Sequence, residues 1–427
     1  MSPKLPRFIC HRQRFGNFAP LPRVRGRASK EAIMINETMA GLGRKRSSIR
    51  ELFEYGKQQA ALVGPENVYD FSLGNPSIPA PPEVDEAIIS AVRDLDSISV
   101  HGYTSAAGNP ALRDMVTADL NKRYGTNLTS FNIFFTCGAA PSLVSVVKAL
   151  AVEGSEFIAQ APFFPEYTTF VNYNGGKLVV VPPDYPDFQI NLAGMEAAIN
   201  EHTQGVIINS PNNPTGVIYS EETLKKLAAL LTEKEKEYGH PIYIISDEPY
   251  RELVYDNAFV PFMPSIYHDT IVCYSFSKAL SVPGERIGYA LVADTCTDEL
   301  AVMDAIVGAA RVIGHVCAPS LQQRVVGLCA GVRPDMEAYD KNRLRLYNAL
   351  TEYGYTCVKP QGAFYLFVKA PGGDANAFSE AAKKRNLLIV SGESFGCPDY
   401  FRISTCVAPD MIERALPHFE ALMEEYR

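Results

Sequence analysis

The sequence predicts an α/β protein: a large domain on a mostly parallel, buried sheet flanked by helices, followed by a smaller α+β domain. Three observations carry this. From Phe131 onward, short apolar runs alternate with helical patterns over about 160 residues, as strand–helix units around a parallel sheet do. After Pro319 the alternation gives way to two long helical patterns and then three short strands. The 427 residues also exceed what one compact core accommodates.

Taken in order, residues 1–33 stand apart. They hold eight Lys/Arg against one acid, Glu31, so they carry +7 of a total of −8 and leave −15 for residues 34–427. The segment is Pro-rich and lacks helical periodicity, and reads as a disordered basic leader. Three origins compete: sequence upstream of a true start at Met34 or Met39, an Arg-rich and acid-poor targeting leader, or a basic binding arm. The first is favoured, because Met34 opens an ordinary polar N-terminus and the leader has few serines and no apolar helix face.

Residues 34–80 are expected to form an N-terminal arm that joins the smaller domain. Ser48-Ile-Arg-Glu51 is a capping box opening a helix to about Leu62. Val68–Leu73 reads as a short strand, closed by Gly74-Asn-Pro76. The large domain is expected over residues 81–318. Pro81–Asp94 and Pro110–Tyr124 read as helices, the second with proline in its first turn. Strands are predicted at Ile133–Thr136, Phe157–Gln160, Leu178–Val181, Val206–Asn209, Ile242–Asp247, Ile271–Tyr274 and Tyr289–Ala293. Helices are predicted between them at Pro141–Val152 and Glu221–Tyr238, and after them at Thr297–Val307. The smaller domain is expected over 319–427. It holds helices at Ser320–Ala330 and Asp335–Tyr353, strands near Phe364–Val368, Leu387–Val390 and Phe401–Ser404, and a closing helix at Pro409–Tyr426.

Composition narrows the function classes. The chain is 47% apolar and 21% charged, and it has no apolar run long enough to span a membrane. A net charge of −8 offers no nucleic-acid footprint. Nine cysteines lie scattered, with no CxxC and no Cys/His grouping of zinc spacing. They read as reduced thiols in a cytoplasmic protein, and no metal site is expected. The Asn127-Leu-Thr sequon is discounted, since nothing else suggests secretion.

The chemistry centres on Tyr274-Ser-Phe-Ser-Lys278 and the Gly284-Glu-Arg286 beyond it. A lysine between two apolar strands is partly desolvated, which lowers its pKa and frees the amine to attack a carbonyl. Ser275, Ser277 and Arg286 are donors suited to a phosphate. An imine-forming amine beside a phosphate cradle is what pyridoxal phosphate requires. The competing reading is a surface lysine and arginine in a polar loop. Thr136-Cys-Gly-Ala-Ala-Pro-Ser142 joins a strand to a helix, and small residues let the amides of Gly138, Ala139 and Ala140 approach an anion there, as ordinary β-to-α turns also can. Asn209-Ser-Pro-Asn-Asn-Pro-Thr-Gly216 is a rigid turn able to hold an amide against a ring oxygen. Asp247 ends a buried strand, where a carboxylate needs a cation such as a protonated pyridine, or else acts as the N-cap of the next element. Tyr250, three residues on, suits donation to the ring oxygen. Phe164 either stacks on a flat ring or fills core.

Together these residues resemble the class I/II pyridoxal-phosphate-dependent aminotransferases of fold type I. The resemblance runs from about Leu42 to the end in the family's order. It is carried by Gly74-x-Pro76, His101-Gly-Tyr-Thr, Gly138-Ala-Ala, Pro162-x-Phe-Pro, Asn213-Pro-Thr-Gly, Asp247-x-x-Tyr250, Ser-Phe-Ser-Lys-x5-Gly-x-Arg-x-Gly and Phe401-Arg-Ile-Ser. It implies that Lys278 is the Schiff-base lysine and proton shuttle. Asp247 pairs the pyridine nitrogen, and Asn213 and Tyr250 contact the ring oxygen. Ser275, Ser277, Arg286 and the Gly138–Ala140 amides hold the phosphate, and Phe164 stacks on the ring. Tyr103 reaches the phosphate of a neighbouring subunit, which makes the enzyme a homodimer. Arg402 clamps the substrate α-carboxylate, with Gly74 and Asn213 beside the substrate. Two departures stand out: Phe164 replaces the commoner tyrosine or tryptophan, and the turn at Cys137-Gly138 has no polar side chains, leaving phosphate to backbone amides.

The resemblance implies amino-acid and 2-oxo-acid substrates. A carbon–sulfur β-lyase on the same scaffold shares the early chemistry, though the Asn213 turn leans toward transamination. A non-catalytic pyridoxal-phosphate-binding regulator would need a fused helix-turn-helix, which residues 1–47 do not form. Arg311 lies beyond the lysine motif at a spacing similar to the distal arginine of aspartate-specific members. It either reads an acidic substrate across a dimer or pairs with surface acids at a helix end.

Overall fold

The computed structural model describes residues 34–44 and 48–427. The leader expected over residues 1–33 lies outside the described residues. Residues 34–44 contain one helix, Glu37–Arg44, with Asn36 accepting from the Met39 amide at 3.2 Å and an exposed Glu37–Arg44 ion pair. The next helix, Ser48–Val63, has Ser48 already inside it and not at the cap expected for it; residues 45–47 lie outside the described residues.

From Ser48 on, the described residues hold twelve strands. They are β1 (Tyr69–Asp70), β2 (Ile133–Thr136), β3 (Glu156–Gln160), β4 (Lys177–Val181), β5 (Thr203–Asn209), β6 (Tyr243–Asp247), β7 (Thr270–Ser275), β8 (Gly288–Val292), β9 (Tyr365–Lys369), β10 (Leu387–Leu388), β11 (Val390–Ser391) and β12 (Tyr400–Ser404). Seven form one sheet in the order β2-β8-β7-β6-β5-β3-β4. The pairs from β4 through β7 are parallel, and β8 runs antiparallel to both β7 and β2. The sheet is therefore mostly parallel with one reversed strand. The reversal arises because residues 276–287 fold back at the same end of the sheet, through a short helix, Phe276–Ala279, and a turn at Pro283–Glu285. A parallel return would need a full crossover.

Near-continuous Val/Ile/Leu runs make both faces of this sheet buried, and helices such as Ala139–Leu150 and Glu221–Tyr238 cover them. Phe134, Phe157, Ile245 and Ile271 pack one side, and Phe135, Val272 and Leu291 the other. A separate apolar cluster gathers Phe378, Phe401, Ile403 and Phe419 around the antiparallel β11-β12-β9 sheet and the helix Pro409–Glu424. The predicted strand at Val68–Leu73 shrinks to β1, which pairs in parallel with β10 over two residues, and the Phe71 carbonyl then accepts from the Ser404 amide.

Candidate active site

Register brings the strand ends together. Gly288 stands opposite both Ser275 and Thr136, and Asn209, Asp247 and Cys273 form one row across β5, β6 and β7. The residues picked out at separate strand ends therefore share one edge of the sheet, where open α/β sheets gather ligands. A cleft opens there, lined by Ala139, Ala140, Phe164, Asn213, Asp247 and Tyr250, with Leu143, Asn209 and Pro249.

Asp247 is 4% exposed. Its Oδ2 accepts from the Tyr167 hydroxyl at 2.5 Å, while Oδ1 is buried without a partner among the described residues. Burial pushes this carboxyl up to about 7; the Tyr167 bond opposes the rise and Glu248 adds to it. An orphaned carboxylate oxygen in a cleft calls for a donor or cation from a ligand. Asn209 fixes the neighbourhood: its Nδ2 donates to the Asp247 carbonyl at 2.8 Å and its Oδ1 accepts from the Asn213 amide at 2.7 Å.

Lys278 sits in the short helix after β7, whose first turn Ser275 caps by accepting from the Ser277 amide at 3.3 Å. Its Nζ donates to the Gly74 carbonyl at 2.5 Å and lies 5.4 Å from the Phe364 ring centre. Burial lowers the amine to about 8; the Cys406 thiol opposes this, and the charges of Arg286 and Arg402 reinforce it.

Arg402, on β12, is 2% exposed. Nη1 donates to Asn213 Oδ1 at 3.0 Å and Nη2 to the Ser72 carbonyl at 2.5 Å, while Nε is buried and unpartnered among the described residues. The guanidinium lies 4.5 Å from the Tyr365 ring centre and 5.2 Å from that of Phe395. The Tyr365 hydroxyl in turn meets that of Tyr250 at 3.0 Å, and burial raises the Tyr250 phenol well above its ordinary value. Gly74 lies so close that a Cβ there would stand 1.9 Å from the Tyr365 hydroxyl.

At the phosphate turn, Gly138 adopts a φ of 101° and opens the helix Ala139–Leu150. A Cβ there would meet the Arg286 guanidinium at 2.7 Å. Arg286 donates Nη2 to the Cys137 carbonyl and Nη1 to the Pro283 carbonyl, both at 3.0 Å. The Ser275 and Ser277 hydroxyls are buried and 2.8 Å apart. Phe164 is half-buried, edge-to-face with Tyr167 at 5.7 Å.

Two expected residues do not join this group within the chain. Tyr103 is 90% exposed, and Arg311 is exposed in the last turn of the helix Glu299–Val312 with no ion pair among the described residues. Three participants are not singled out by the sequence: Tyr167, Tyr365 and Asn209. Asn209 stands in the Asn-Ser-Pro-Asn-Asn motif, but only as its first residue.

The family model described as aminotransferase class I and II matches residues 66–419. A probable aspartate/prephenate aminotransferase from Aquifex aeolicus is 30% identical over 84% of this chain and 92% of its own length. A crystal structure of an amino transferase from Eubacterium rectale superposes with a TM-score of 0.91 at 53% identity, covering 92% of this chain and all of that one. The aspartate aminotransferase from Thermotoga maritima superposes with a TM-score of 0.81 at 26% identity, covering 91% and 100%. With strand-end residues, an orphaned carboxylate and a desolvated lysine at one sheet edge, this chain belongs to the class I and II aminotransferases, the pyridoxal-phosphate-dependent enzymes that pass an amino group between an amino acid and a 2-oxo acid.

Proposed function

We propose that this enzyme transaminates an L-amino acid, aspartate among its donors, through a site organised by Lys278, Asp247 and Arg402. One observation carries the reading: buried Asp247, whose Oδ1 is unpartnered among the described residues, lines the cleft at the same sheet edge as a lysine amine lowered to about 8.

The residues fit pyridoxal phosphate. A ring nitrogen would answer the orphaned Oδ1, and the Arg286 guanidinium, packed so close to Gly138 that a Cβ there would meet it at 2.7 Å, stands beside the start of the helix Ala139–Leu150, where a phosphate would find donors. When bound, the cofactor supplies an electron sink that acidifies the substrate α-hydrogen. Lys278 holds the cofactor through Nζ and carries the proton on and off the substrate carbon. Asp247 keeps the ring nitrogen protonated by its charge. Asn213 and Tyr250 would orient the ring oxygen, and Phe164, which lines the cleft, would pack against the ring. The Gly138–Ala140 amides, Ser275, Ser277 and Arg286 receive the phosphate. Arg402 takes the α-carboxylate, with Gly74 and Asn213 beside it.

Tyr103 and Arg311 act from a second copy, so the working unit is a homodimer; their exposure in the single chain supports this. The aspartate preference rests on the name of the Aquifex relative and on Arg311. We read residues 34–80 as an arm of a small domain completed by 319–427, and 81–318 as the cofactor domain. Among the described residues no helix is long and apolar enough to cross a membrane, which agrees with a cytoplasmic enzyme.

A panel of amino donors with 2-oxoglutarate, monitored also for pyruvate and ammonia, tests the reading. Glutamate formation from aspartate is expected. Ammonia release without glutamate would assign a lyase instead.

A further inference from the structure

At the opposite end of β7 from Lys278, three side chains converge. Glu235 comes from the last turn of the helix Glu221–Tyr238, and His268 and Asp269 lead into β7. His268 Nε2 stands 3.4 Å from Glu235 Oε2 and 3.3 Å from Asp269 Oδ2, and neither approach has the geometry of a hydrogen bond. Three of the four carboxylate oxygens are also held by other donors, Asp269 Oδ2 among them. Glu235 Oε1 accepts from the Tyr267 hydroxyl at 2.7 Å and the Ile242 amide at 2.9 Å. Asp269 Oδ1 accepts from the Thr297 amide at 2.6 Å, and Oδ2 from the Thr297 hydroxyl at 3.1 Å.

The charge at this point is uncompensated. The Asp269 side chain is 1% exposed and that of Glu235 12%, and among the described residues no lysine or arginine forms an ion pair with either. Two carboxylates and one imidazole stay net negative whether or not the imidazole is protonated. Buried charge of one sign is costly without a counter-ion.

We propose that Glu235, His268 and Asp269 form a binding site for one zinc-class divalent cation. Neighbouring ligands of a tetrahedral zinc with bonds of about 2.0–2.1 Å lie about 3.3–3.4 Å apart, which is the spacing around His268 Nε2. An imidazole among the donors favours zinc over magnesium or calcium, which take oxygen ligands. The amide and hydroxyl bonds to the other carboxylate oxygens orient the ligands as outer-shell partners do. The imidazole is 39% exposed, which gives the site an entry path from solvent. The ion joins the end of a surface helix to the start of the strand that carries Lys278. No sequence spacing announces it, because Glu235 lies far from His268 in the chain.

The test uses the full-length, pyridoxal-phosphate-loaded enzyme, stripped with a chelator and titrated calorimetrically with Zn²⁺, then with Co²⁺ for the visible absorption of a four-coordinate cobalt ion. One ion per chain and a Zn²⁺-dependent rise in Tm are expected. His268→Gln should weaken that binding by about 100-fold or more, since loss of an outer-shell partner alone costs about 10–100-fold, and should leave aminotransferase turnover unchanged. Asp269→Asn should show the same loss; if it fails to fold, the partly exposed His268 variant decides. Absence of binding in the wild type, or equal binding by the wild type and His268→Gln, would overturn the assignment and leave an ion-pair cluster.

Discussion

Removing one hydroxyl, in Tyr167→Phe, probes how the site sets Asp247. The Tyr167 hydroxyl donates to Oδ2 at 2.5 Å from a side chain 2% exposed. Phenylalanine keeps the ring and its edge-to-face contact with Phe164, so the change is one hydrogen bond to an ionisable carboxyl. Such a bond to a charged group is worth about 1.5–3 kcal/mol. It opposes the burial that lifts the carboxyl to about 7, so its loss lifts the carboxyl further. If the carboxylate's charge pairs the cofactor nitrogen, the same energy appears as pyridoxal-phosphate binding weaker by about 10- to 150-fold. The sign with pH is fixed by the same shift. Asp247 titrates near 7 in the folded chain against an ordinary 3.8, so its contribution to apoenzyme stability is complete below about 4 and is lost as pH rises to about 7. Cofactor affinity runs the other way, rising as the carboxylate ionises. The assay is an absorbance titration of apoenzyme with pyridoxal phosphate on both sides of pH 7. The variant should bind more weakly and need a higher pH to reach half its plateau. An affinity within about twofold of wild type, with an unmoved pH midpoint, would refute the coupling, since even the weakest charged bond predicts about tenfold.

Other residues of the site give three further expectations. With a pKa near 8, about a tenth of Lys278 is neutral at pH 7, against about one in 3,000 at its ordinary 10.5, so capture of pyridoxal phosphate by apoenzyme should speed up about tenfold above pH 7 and level off past pH 8. A rate still climbing at pH 10 would show an unshifted amine, and Lys278→Ala should remove capture altogether. Gly74→Ala drives a methyl into the Tyr365 hydroxyl, which is held by Tyr250 under Arg402, so overpacking should cost about 1–3 kcal/mol in thermal unfolding and raise KM for amino acids; unchanged Tm and KM would mean the loop yields freely. Arg311→Leu should lower kcat/KM for aspartate by about 100-fold and spare alanine or an aromatic donor, whereas equal losses for all donors would make Arg311 structural.

The parts of the site legible in the sequence are those whose meaning is local. A Ser-x-Ser-Lys after an apolar run, an aspartate closing a strand, and a Gly-Ala-Ala turn opening a helix each declare themselves within a few residues, and the structure places the Asp247 and Gly138 stretches at one edge with Lys278. Tyr167 and Tyr365 are not legible, because a tyrosine becomes a partner of Asp247 or of Tyr250 only once folding closes separations of 80 and 115 residues. Strand direction is hidden for the same reason: the run at Gly288–Val292 is as apolar as its parallel neighbours, and only the path of residues 276–287 reverses it. Short helices such as Ser97–His101 and Leu192–Ala198 are too brief to show a period.

Arg402 is clasped before any substrate arrives. A free arginine side chain carries about 2 kcal/mol of rotamer entropy, which binding would otherwise have to remove. Here Asn213, the Ser72 carbonyl and the flanking rings of Tyr365 and Phe395 have already immobilised it during folding. On the proposed role of Arg402, a substrate carboxylate would meet a preset fork, and affinity would depend in part on Ser72, Tyr365 and Phe395, which have no proposed contact with the substrate. Loosening the aromatic holders Tyr365 or Phe395 would then weaken binding while the proposed contacts to the substrate stayed in place.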